Sequence, residues 1–472
     1  MKKSFYLGGR WVEGKEYAPL YAPYSGEPIA EIPQADGAMV EQAVTAAEEA
    51  AKVMRKMPAY QRAAILEKVA RLFEERLEEA ARIVALEAGK PLKTARGEVI
   101  RTIQTYKFAA EEAKRIHGET IPLDAAIGGE GRVAYTVREP LGVIGAITPF
   151  NFPLNLVAHK VGPAIAAGNT IVLKPASQTP LSAFFLAELA EQAGLPAGAL
   201  NVITGSGSTV GDRLVTDPRI KAITFTGSPA VGIAIRNRAG LKRVTLELGS
   251  NSAVIVDRGV NLTDVVPRCV FGAFAYSGQV CISVQRIYVV EESYQDFLEA
   301  FVRETQQLRG GDPLAEETDY SAMINPRETE RVLAWIAEAK ERGAQVACGG
   351  EVEGRVLKPT ILTGVPAEAK VSCQEVFGPV VLVNPVKSVQ EAIGYVNDSR
   401  YGLQAGLYTN HLGLALQAAD ELHVGGVMIN DIPTFRVDHM PYGGVKESGM
   451  GREGIKYAIE EMTELKLVVF KR

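Results

Sequence analysis

Short, almost continuously apolar runs alternate with helix-like stretches through most of the chain from Gly142 onward. The runs VIGAIT, TIVLKP, LNVIT and AITFTG belong to a first series, and a second series begins near Ser252 with SAVIVD. Strands that are apolar on both faces and separated by helices are typical of a parallel sheet covered on both sides. The sequence therefore predicts an α/β fold with two doubly wound parallel-sheet domains in succession.

The segments outside those two series have a different pattern. Residues 36–56, 60–90 and 92–117 carry apolar residues at three- and four-residue spacing, which predicts amphipathic helices. Residues 132–138 (RVAYTVR) alternate like a strand exposed on one side, and residues 465–470 (LKLVVF) look like a strand that must pair elsewhere. We expect these two strands to form a small third unit, whose exposed edges favour subunit pairing in a homodimer or homotetramer.

Charge and hydropathy argue against several classes of protein. The chain has 51 Lys and Arg against 56 Asp and Glu, a net charge of −5, so it lacks the basic field that gathers nucleic acid or anionic lipid. No apolar run approaches the roughly 20 residues that a membrane-spanning helix needs. The first residues, MKKSFYLGGRW, lack the unbroken apolar stretch of a secretion signal. We therefore expect a cytoplasmic protein that binds neither nucleic acid nor membrane.

The cysteines and histidines show no metal-binding spacing. The four cysteines, Cys269, Cys281, Cys348 and Cys373, are far apart, and the five histidines form no HExxH or His-Cys cluster. We therefore predict no metal site. In a large chain without an export signal the thiols are expected to be reduced, which is the state in which one of them can act as a nucleophile.

Two turns could bind phosphate. In KAITFTGSPAVG a strand is followed by Gly227, by Ser228 as a helix N-cap and by Pro229 in the first helical position, so free backbone N–H groups point outward. The second turn, TGSGSTVG, contains Gly205, but its GxGxxxG spacing is one residue longer than the dinucleotide-binding fingerprint. Taken alone, the first turn is slightly better explained as an ordinary connection between strand and helix, and the second is weak evidence for a classical dinucleotide-binding site.

Four more residues are candidates for chemistry, and each also has a plain structural explanation. Cys281 (YSGQVCISVQR) follows a Ser-Gly turn, and a lone cysteine is often a small core residue. Glu247 (TLELGSNS) ends a strand, where a surface ion pair is the common case. Asn151 (TPFNFPLN) fits an ordinary Asx turn, and Lys174 (TIVLKPAS) fits the edge of a sheet.

The joint occurrence and order of these segments decides between the two interpretations. TPFNFP, TIVLKPASQTP, FTGS, LELGSNS, GQVCIS, EVFGPV and PYGGVKESGMGREG together resemble the aldehyde dehydrogenase superfamily along essentially the whole chain. They look most like the branch of lactaldehyde, non-phosphorylating glyceraldehyde-3-phosphate and phosphonoacetaldehyde dehydrogenases. The resemblance implies an aldehyde dehydrogenase-like fold and the oxidation of a small aldehyde to a carboxylic acid with NAD or NADP.

The resemblance also implies catalytic roles. Cys281 matches the family nucleophile, which makes the aldehyde carbon tetrahedral. The side chain of Asn151 and the backbone N–H of Cys281 match the donors that stabilise the oxyanion. Glu247 matches the general base that activates water to hydrolyse the thioester.

For the cofactor, the resemblance implies a larger set. Lys174 matches the lysine that bonds the adenosine ribose, and Ser177 stands where many NAD-restricted members carry Glu, so we expect NADP to be accepted. The family's usual LELGG is LELGS here, which places Ser250 beside the expected nicotinamide path. The predicted cofactor residues are Lys174, Ser177, Gly205, Gly227 and Ser228 at the nucleotide end, and Gly249, Glu375 and Phe377 at the nicotinamide end.

Substrate residues are predicted on a loop and a helix. Arg436 (DIPTFRVDHMPYGG) falls in the loop that helps to line the family's aldehyde entrance, where a guanidinium could hold a carboxylate, phosphate or sulfonate. Arg101, with Tyr106, on GEVIRTIQTYKFAAEEA is a possible second anchor, although a solvated helix face explains it at least as well.

The resemblance further predicts how the chain is divided. A discontinuous cofactor-binding domain is expected over residues 1–122 and 142–246 and a catalytic domain over 247–440, with an oligomerisation hairpin from 123–141 and 455–472. Two alternative functions stay open. One is a CoA-acylating dehydrogenase, against which the presence of Glu247 argues, and the other is a non-catalytic structural or binding protein on the same fold.

Overall fold

The computed structural model describes residues 1–472. Its strands are β1 (Phe5–Leu7), β2 (Arg10–Val12), β3 (Glu16–Tyr21), β4 (Pro28–Gln34), β5 (Thr120–Ile121), β6 (Arg132–Pro140), β7 (Val143–Ile147), β8 (Thr170–Lys174), β9 (Leu200–Val202), β10 (Ile220–Thr226), β11 (Arg243–Glu247), β12 (Ala253–Val256), β13 (Arg286–Val290), β14 (Gln345–Cys348), β15 (Val352–Glu353), β16 (Val356–Leu357), β17 (Thr360–Thr363), β18 (Val380–Val386), β19 (Gln404–Tyr408), β20 (Gly426–Ile429), β21 (Gly449–Met450) and β22 (Thr463–Lys471). Its α-helices are α1 (Gly37–Met54), α2 (Ala59–Glu75), α3 (Leu77–Ala88), α4 (Leu92–Ala113), α5 (Asn155–Ala167), α6 (Leu181–Ala193), α7 (Asp212–Thr216), α8 (Pro229–Arg238), α9 (Leu262–Phe274), α10 (Glu291–Thr305), α11 (Pro326–Glu341), α12 (Lys370–Cys373), α13 (Val389–Asn397), α14 (Leu412–Glu421) and α15 (Ile455–Glu461).

Two mostly parallel sheets form the body of the protein. The first has the order β2-β1-β9-β8-β7-β10-β11-β21, and its five strands from β9 to β11 are parallel. The second has the order β14-β17-β18-β13-β12-β19-β20 and is parallel except between β14 and β17. The central strands are buried, as the apolar runs predict, and the prediction of two doubly wound sheets is confirmed.

The predicted third unit is also present. Strand β22 pairs antiparallel with β6 over its whole length, and β5 pairs with the other side of β6. Because side chains alternate between the faces of a strand, β22 exposes Leu465, Leu467 and Val469 on one face. Strand β22 is the edge of this sheet and its backbone groups on that side have no partner strand.

The N-terminal helices agree with the predicted stretches except at one point. Helix α1 begins after Asp36, whose side chain accepts a hydrogen bond from the N–H of Met39. The stretch 60–90 is not one helix, because the backbone of Arg76 leaves the helical region between α2 and α3. Both helices contribute to the same core on the first sheet, so their apolar spacing continues across the break and does not reveal it. None of the helices is long and apolar enough to span a membrane.

The topology brings several strand ends together. Asn151 follows β7, Glu247 ends β11, and Cys281 precedes β13. Strand β21 returns from the end of the chain to pair with β11, and it places Gly449 opposite Glu247. In open α/β sheets such a cluster of strand ends is where ligands bind.

A buried carboxyl group links α3 to the start of α6. Glu87 accepts hydrogen bonds from the backbone N–H groups of Leu181 (2.7 Å) and Ser182 (2.9 Å) and from the Ser182 hydroxyl, so it satisfies donors that a helix start leaves free. Burial raises the pKa of Glu87 to about 8, against the opposing effect of the Ser182 and Leu181 hydrogen bonds.

This carboxyl group predicts a pH-dependent stability difference. An acid whose pKa is higher in the folded state stabilises the fold below its unfolded pKa and loses that contribution as pH rises through the folded value. Wild-type protein should therefore lose stability relative to Glu87→Gln between about pH 5 and 8, by at most about 1.4 kcal/mol per pH unit. Urea unfolding of both proteins across that range measures the difference, and a constant difference would contradict the assignment.

Candidate active site

Cys281 opens onto a cavity of about 650 Å³. Its Sγ lies 2.9 Å from the hydroxyl of Tyr442, which can donate a hydrogen bond to it. Burial raises the pKa of Cys281 to about 11, while the Tyr442 hydrogen bond and the charge of Arg436 oppose this rise. The thiol is thus reachable from the cavity, and of the groups beside it Tyr442 and Arg436 favour its ionised form, while Glu375 and Glu247 disfavour it.

The loop before Cys281 is held in an uncommon backbone conformation. Tyr276 and Ser277 have φ values of 50° and 53°, in the left-handed region that non-glycine residues rarely adopt. The Tyr276 hydroxyl donates to the carbonyl of Ala88 and the Ser277 hydroxyl to that of Ser321, each at 2.7 Å. These two buried anchors fix the direction from which the chain approaches Cys281.

Asn151 contacts this cysteine loop directly. It is buried after β7, and its side-chain Nδ2 donates to the carbonyl of Gln279 at 3.1 Å, two residues before Cys281. A side-chain amide has two N–H donors, so the second remains free for an oxyanion. The structure therefore brings together the two predicted sources of oxyanion donors, although Asn151 itself is not part of the cavity wall.

Glu247 is buried without a hydrogen-bond partner on either carboxylate oxygen. Burial raises its pKa well above the usual value, and the negative charge of Glu453 acts in the same direction, while Arg436 and Lys160 oppose both. Its carboxylate is not on the wall of the cavity that contains Cys281. Glu247 is thus a carboxyl group with a raised pKa that lies outside the cavity wall.

A buried charge network that the sequence analysis missed lies beside Glu247. Glu453 accepts from Lys160 Nζ at 3.0 Å and from Arg436 Nη2 at 2.9 Å. Burial alone would raise the pKa of Glu453, but Lys160 and Arg436 lower it to about 2. A signal was available, because Lys160 stands in the otherwise apolar run LNLVAHKVGPAIAAG, and a lysine at such a place is rarely buried unpaired.

Arg436 lies where a substrate anchor was predicted. Its side chain is only 5% exposed, it forms part of the cavity wall, and its guanidinium lies 3.7 Å from the centre of the Tyr442 ring. The buried Nε atom has no hydrogen-bond partner. One N–H donor of this arginine thus remains uncommitted inside the protein.

Arg101 also faces the cavity. Its guanidinium donates to Asp438 through Nη2 at 2.7 Å and Nε at 3.2 Å. Asp438 is bonded in turn to His159 Nε2 at 2.8 Å. Neither Asp438 nor Glu453 forms part of the cavity wall, so the two arginines present their charge to the cavity while their carboxylate partners lie behind them.

The structure does not place Tyr106 with Arg101, and that expectation is corrected. Tyr106 is fully buried, stacks on Phe73 with ring centres 5.9 Å apart, and is absent from the cavity wall. The physical reason is helical geometry, because five residues at 3.6 per turn turn the side chain by about 140°. When Arg101 faces the cavity, Tyr106 therefore faces the helical core.

The residues predicted for the nucleotide end of the cofactor have free polar groups. Lys174 ends β8 and is 7% exposed, and its Nζ reaches only the carbonyl of Pro175 at 3.4 Å. Burial lowers its pKa, and no acidic side chain pairs with it. A buried lysine without an acidic partner fits a ligand that brings hydroxyl or phosphate oxygens. Ser177 is exposed in the turn that follows.

Two turns at the same edge of the first sheet as this lysine fit the same ligand. Helix α8 begins at Pro229 after Gly227 and Ser228, and Ser228 makes no side-chain capping bond, so the N–H groups of the first turn stay free for phosphate. Gly205 has a φ of 152°, and a Cβ at this position would come within 2.8 Å of the Val210 side chain. The backbone conformation there requires glycine.

The residues predicted for the nicotinamide end surround a narrow crevice. Glu375 accepts from the N–H of Ser250 at 3.0 Å, and a Cβ at Gly249 would collide with its carboxylate. Burial raises the pKa of Glu375 to about 7, opposed by the Ser250 hydrogen bond. Phe377 has its ring edge-on to Phe150 at 5.8 Å. Glu375 and Phe377 line this crevice, and Val280, next to Cys281, belongs both to its wall and to the wall of the larger cavity.

Comparison with known proteins gives a consistent family. Residues 11–468 match the profile of the aldehyde dehydrogenase family. A 3-sulfolactaldehyde dehydrogenase of Priestia megaterium is 49% identical over 464 residues, which cover 98% of this chain and 97% of the relative. A lactaldehyde dehydrogenase of Methanocaldococcus jannaschii is 41% identical over 471 residues, covering 99% of this chain and 100% of the relative.

Solved structures agree with these relatives. Aldehyde dehydrogenase 21 of Physcomitrella patens, in complex with the reaction product succinate, has a TM-score of 0.98 and 42% identity, covering 100% of this chain and 98% of that one. The glyceraldehyde-3-phosphate dehydrogenase GapN of Methanocaldococcus jannaschii, complexed with NADP, has a TM-score of 0.93 and 40% identity, covering 97% and 100%. The chain belongs to the aldehyde dehydrogenase family, and it is an enzyme that oxidises aldehydes.

Proposed function

We propose that this enzyme converts short anionic aldehydes to carboxylic acids, which water releases, and that it accepts NADP as well as NAD. One observation carries the proposal. Arg436 and Arg101 line the same cavity as Cys281, while their carboxylate partners do not. Three of the four relatives support this substrate class, because sulfolactaldehyde, glyceraldehyde 3-phosphate and the acid succinate named for them carry an anionic group. The fourth is named for lactaldehyde, which is neutral.

In the first step the sulfur of Cys281 attacks the aldehyde carbon, so that the S–C bond forms and the carbonyl π bond breaks. The negative charge that develops on oxygen is stabilised by the free amide N–H of Asn151 and the backbone N–H of Cys281. The Tyr442 hydroxyl, 2.9 Å from Sγ, stabilises the thiolate before the attack. A bound nicotinamide cofactor supplies the two-electron acceptor that converts the adduct to a thioester.

The cofactor is held by groups that are otherwise unused. Lys174 offers its uncommitted ammonium to the ribose, and the free N–H groups at the start of α8 receive the pyrophosphate. Glu375 is positioned to accept hydrogen bonds from the second ribose, with Ser250 as its present partner. Ser177 adds no negative charge near the adenosine ribose, so a 2′-phosphate meets no repulsion there.

Glu247 acts in the last step, in which water replaces sulfur on the acyl carbon. Burial, and then the charge of Glu453, raise its pKa well above the usual value, so its carboxylate is a stronger base toward the attacking water than an exposed carboxylate. Lys160 and Arg436 keep Glu453 ionised, so its charge keeps favouring the protonated form of Glu247.

We assign the cofactor-binding domain to residues 1–122 and 142–246, the catalytic domain to 247–440, and the oligomerisation hairpin to 123–141 and 455–472. We further propose that the protein is a homodimer or homotetramer, because β22 leaves an exposed apolar edge. We also propose that it is cytoplasmic.

The base assignment predicts a separation of the two half-reactions. Glu247→Gln should form reduced nicotinamide in the first turnover at close to the wild-type rate, while steady-state turnover falls by about 10²-fold or more. Stopped-flow absorbance of the reduced cofactor measures both phases, with Cys281→Ser as the control that should show neither. Normal steady-state turnover of Glu247→Gln without CoA would disprove the role, and turnover that requires CoA would favour the acylating alternative.

The anchor assignment predicts a change in substrate preference. Arg436→Gln should lower kcat/KM for an anionic aldehyde about 10- to 100-fold more than for a neutral aldehyde of equal length, because a hydrogen bond to a charged group is lost. Arg436→Gln also removes a partner of Glu453, but any resulting loss of activity affects both aldehydes equally. It therefore cancels in the ratio of their kcat/KM values. Sulfolactaldehyde and lactaldehyde are a suitable pair, and an unchanged ratio would remove Arg436 as the anchor.

The cofactor assignment predicts the effect of one added charge. Ser177→Glu should lower kcat/KM for NADP by about tenfold or more through repulsion of the 2′-phosphate, and should leave kcat/KM for NAD nearly unchanged. Gln178→Glu, which adds the same charge at the neighbouring exposed position, is the matched control. Equal losses with both cofactors would show that Ser177 does not face the 2′ position.

A further inference from the structure

Lys90 is a fully buried cation that the mechanism does not use. It lies between α3 and α4, and its Nζ donates to the carboxylate of Glu98, which is also buried. The same Nζ donates to the backbone carbonyl of Asn151 at 2.6 Å. One ammonium thus contacts the main chain of the residue whose side chain is the predicted oxyanion donor.

The ammonium also contacts the cysteine loop. Nζ lies 3.8 Å from the ring centre of Phe152 and 4.6 Å from that of Tyr276. A cation over an aromatic face is attracted by the ring quadrupole, and most strongly where water is excluded. Phe152 follows Asn151, and Tyr276 begins the loop that leads to Cys281. Lys90 therefore connects the two chain segments that supply the oxyanion donors.

Glu98 completes the connection from the other side. Its Oε1 accepts from the N–H groups of Leu154 (2.9 Å) and Asn155 (3.2 Å), at the start of α5. The segment from Asn151 to Asn155 is thus held at its first residue by the lysine and at its last two by the glutamate. A displacement of this segment would break several charge-assisted hydrogen bonds together.

A buried ion pair is a poor device for stability alone. Removing two charges from water is costly, and apolar replacements of such pairs are often neutral or stabilising. The contacts of this pair are instead concentrated on the two segments beside the thiol. We propose that Lys90, together with Glu98, is a positioning residue that holds Asn151 and the Cys281 loop at the separation which the oxyanion requires.

The test needs a variant that leaves no unpaired buried charge. Lys90→Met/Glu98→Gln removes both charges together, and the glutamine can still accept from the N–H groups of Leu154 and Asn155. Because small displacements of reacting groups are costly, the first-turnover rate of nicotinamide reduction should fall about 10- to 100-fold. The KM for NADP should stay within about threefold, because the residues assigned to the cofactor are untouched.

A second readout separates positioning from general damage. Alkylation of Cys281 by iodoacetamide needs the thiolate but no oxyanion donor, so its rate should be unchanged in the double variant. Glu87→Gln is the matched control, because it alters another buried carboxyl group that binds a helix start but contacts neither loop. Its first-turnover rate should equal that of the wild type. If alkylation in the double variant falls as much as turnover, the pair is merely structural and the proposal is wrong.

The proposal rests on the proposed function, and a mutant cycle tells their failures apart. Asn151→Ala should lower the first-turnover rate by about 10²–10³-fold. In that background the Lys90/Glu98 changes should lower the rate much less than they do in the wild type, because one of the two donors whose separation they hold is already missing. If Asn151→Ala is fully active, the oxyanion assignment fails. If only the double variant is fully active, or if the two effects multiply, the positioning role fails.

One further variant covers the case in which the double variant does not fold. Phe152→Leu removes one ring from the Lys90 ammonium and leaves the ion pair intact. Its first-turnover rate should fall by a smaller factor, with unchanged alkylation of Cys281 and a still smaller loss when combined with Asn151→Ala. A wild-type first-turnover rate in Phe152→Leu would overturn the proposed contact between ring and ammonium.

Discussion

Charge pairing inside a largely dehydrated site is the constraint on which the rest of this structure depends. Four buried or partly buried basic side chains lie in or beside the cavity of Cys281, and each faces a carboxylate. The pairs are Lys90 with Glu98, Lys160 with Glu453, Arg436 with Glu453, and Arg101 with Asp438. Without partners these ions would each cost several kcal/mol of lost hydration. Pairing therefore permits a high density of charge beside a thiol while the domain remains folded.

The groups left over from this pairing are the ones suited to chemistry. Glu247 has no hydrogen-bond partner and lies near the ionised Glu453, so its pKa is raised. Lys174 has no acidic partner, and its pKa is lowered by burial. The neutral form of both groups is thus favoured over the charged form. The charged form of Lys174 is stabilised when a ligand binds, and the charged form of Glu247 becomes neutral when it takes a proton during the reaction. The buried side chains that form ion pairs receive their counter-charge from the fold itself. Glu247 and Lys174 do not, and these are the two groups to which we assign roles in catalysis and cofactor binding.

The sequence predicted the parts of the site that depend on local chain geometry. Asn151 and Glu247 lie at the carboxyl ends of strands in one parallel sheet, and such strand ends share one edge of the sheet. Cys281 precedes a strand of the second sheet, so only the resemblance to the family predicted its place beside them. The ion pairs could not be predicted in the same way. Lys160 and Glu453 are 293 residues apart, and no local pattern specifies that an apolar helix and a C-terminal loop will meet. The prediction that Tyr106 lines the site together with Arg101 was wrong for a related reason. The two residues are close in sequence, but they point to different sides of the helix.

The pairing of the arginines also limits how the enzyme can select its substrate. A guanidinium already bonded to Asp438 or Glu453 has part of its charge compensated, so an incoming anion gains less than it would from a free arginine. What remains is direction, because the donors that the carboxylates do not engage are fixed in a planar fork. Recognition then depends on whether an acceptor oxygen reaches those N–H groups while the aldehyde carbon reaches Sγ of Cys281. The number of atoms between the aldehyde and the anionic group should therefore affect kcat/KM as much as the charge itself. A rigid donor at a fixed distance from Sγ can bind the anionic group productively at only one spacing.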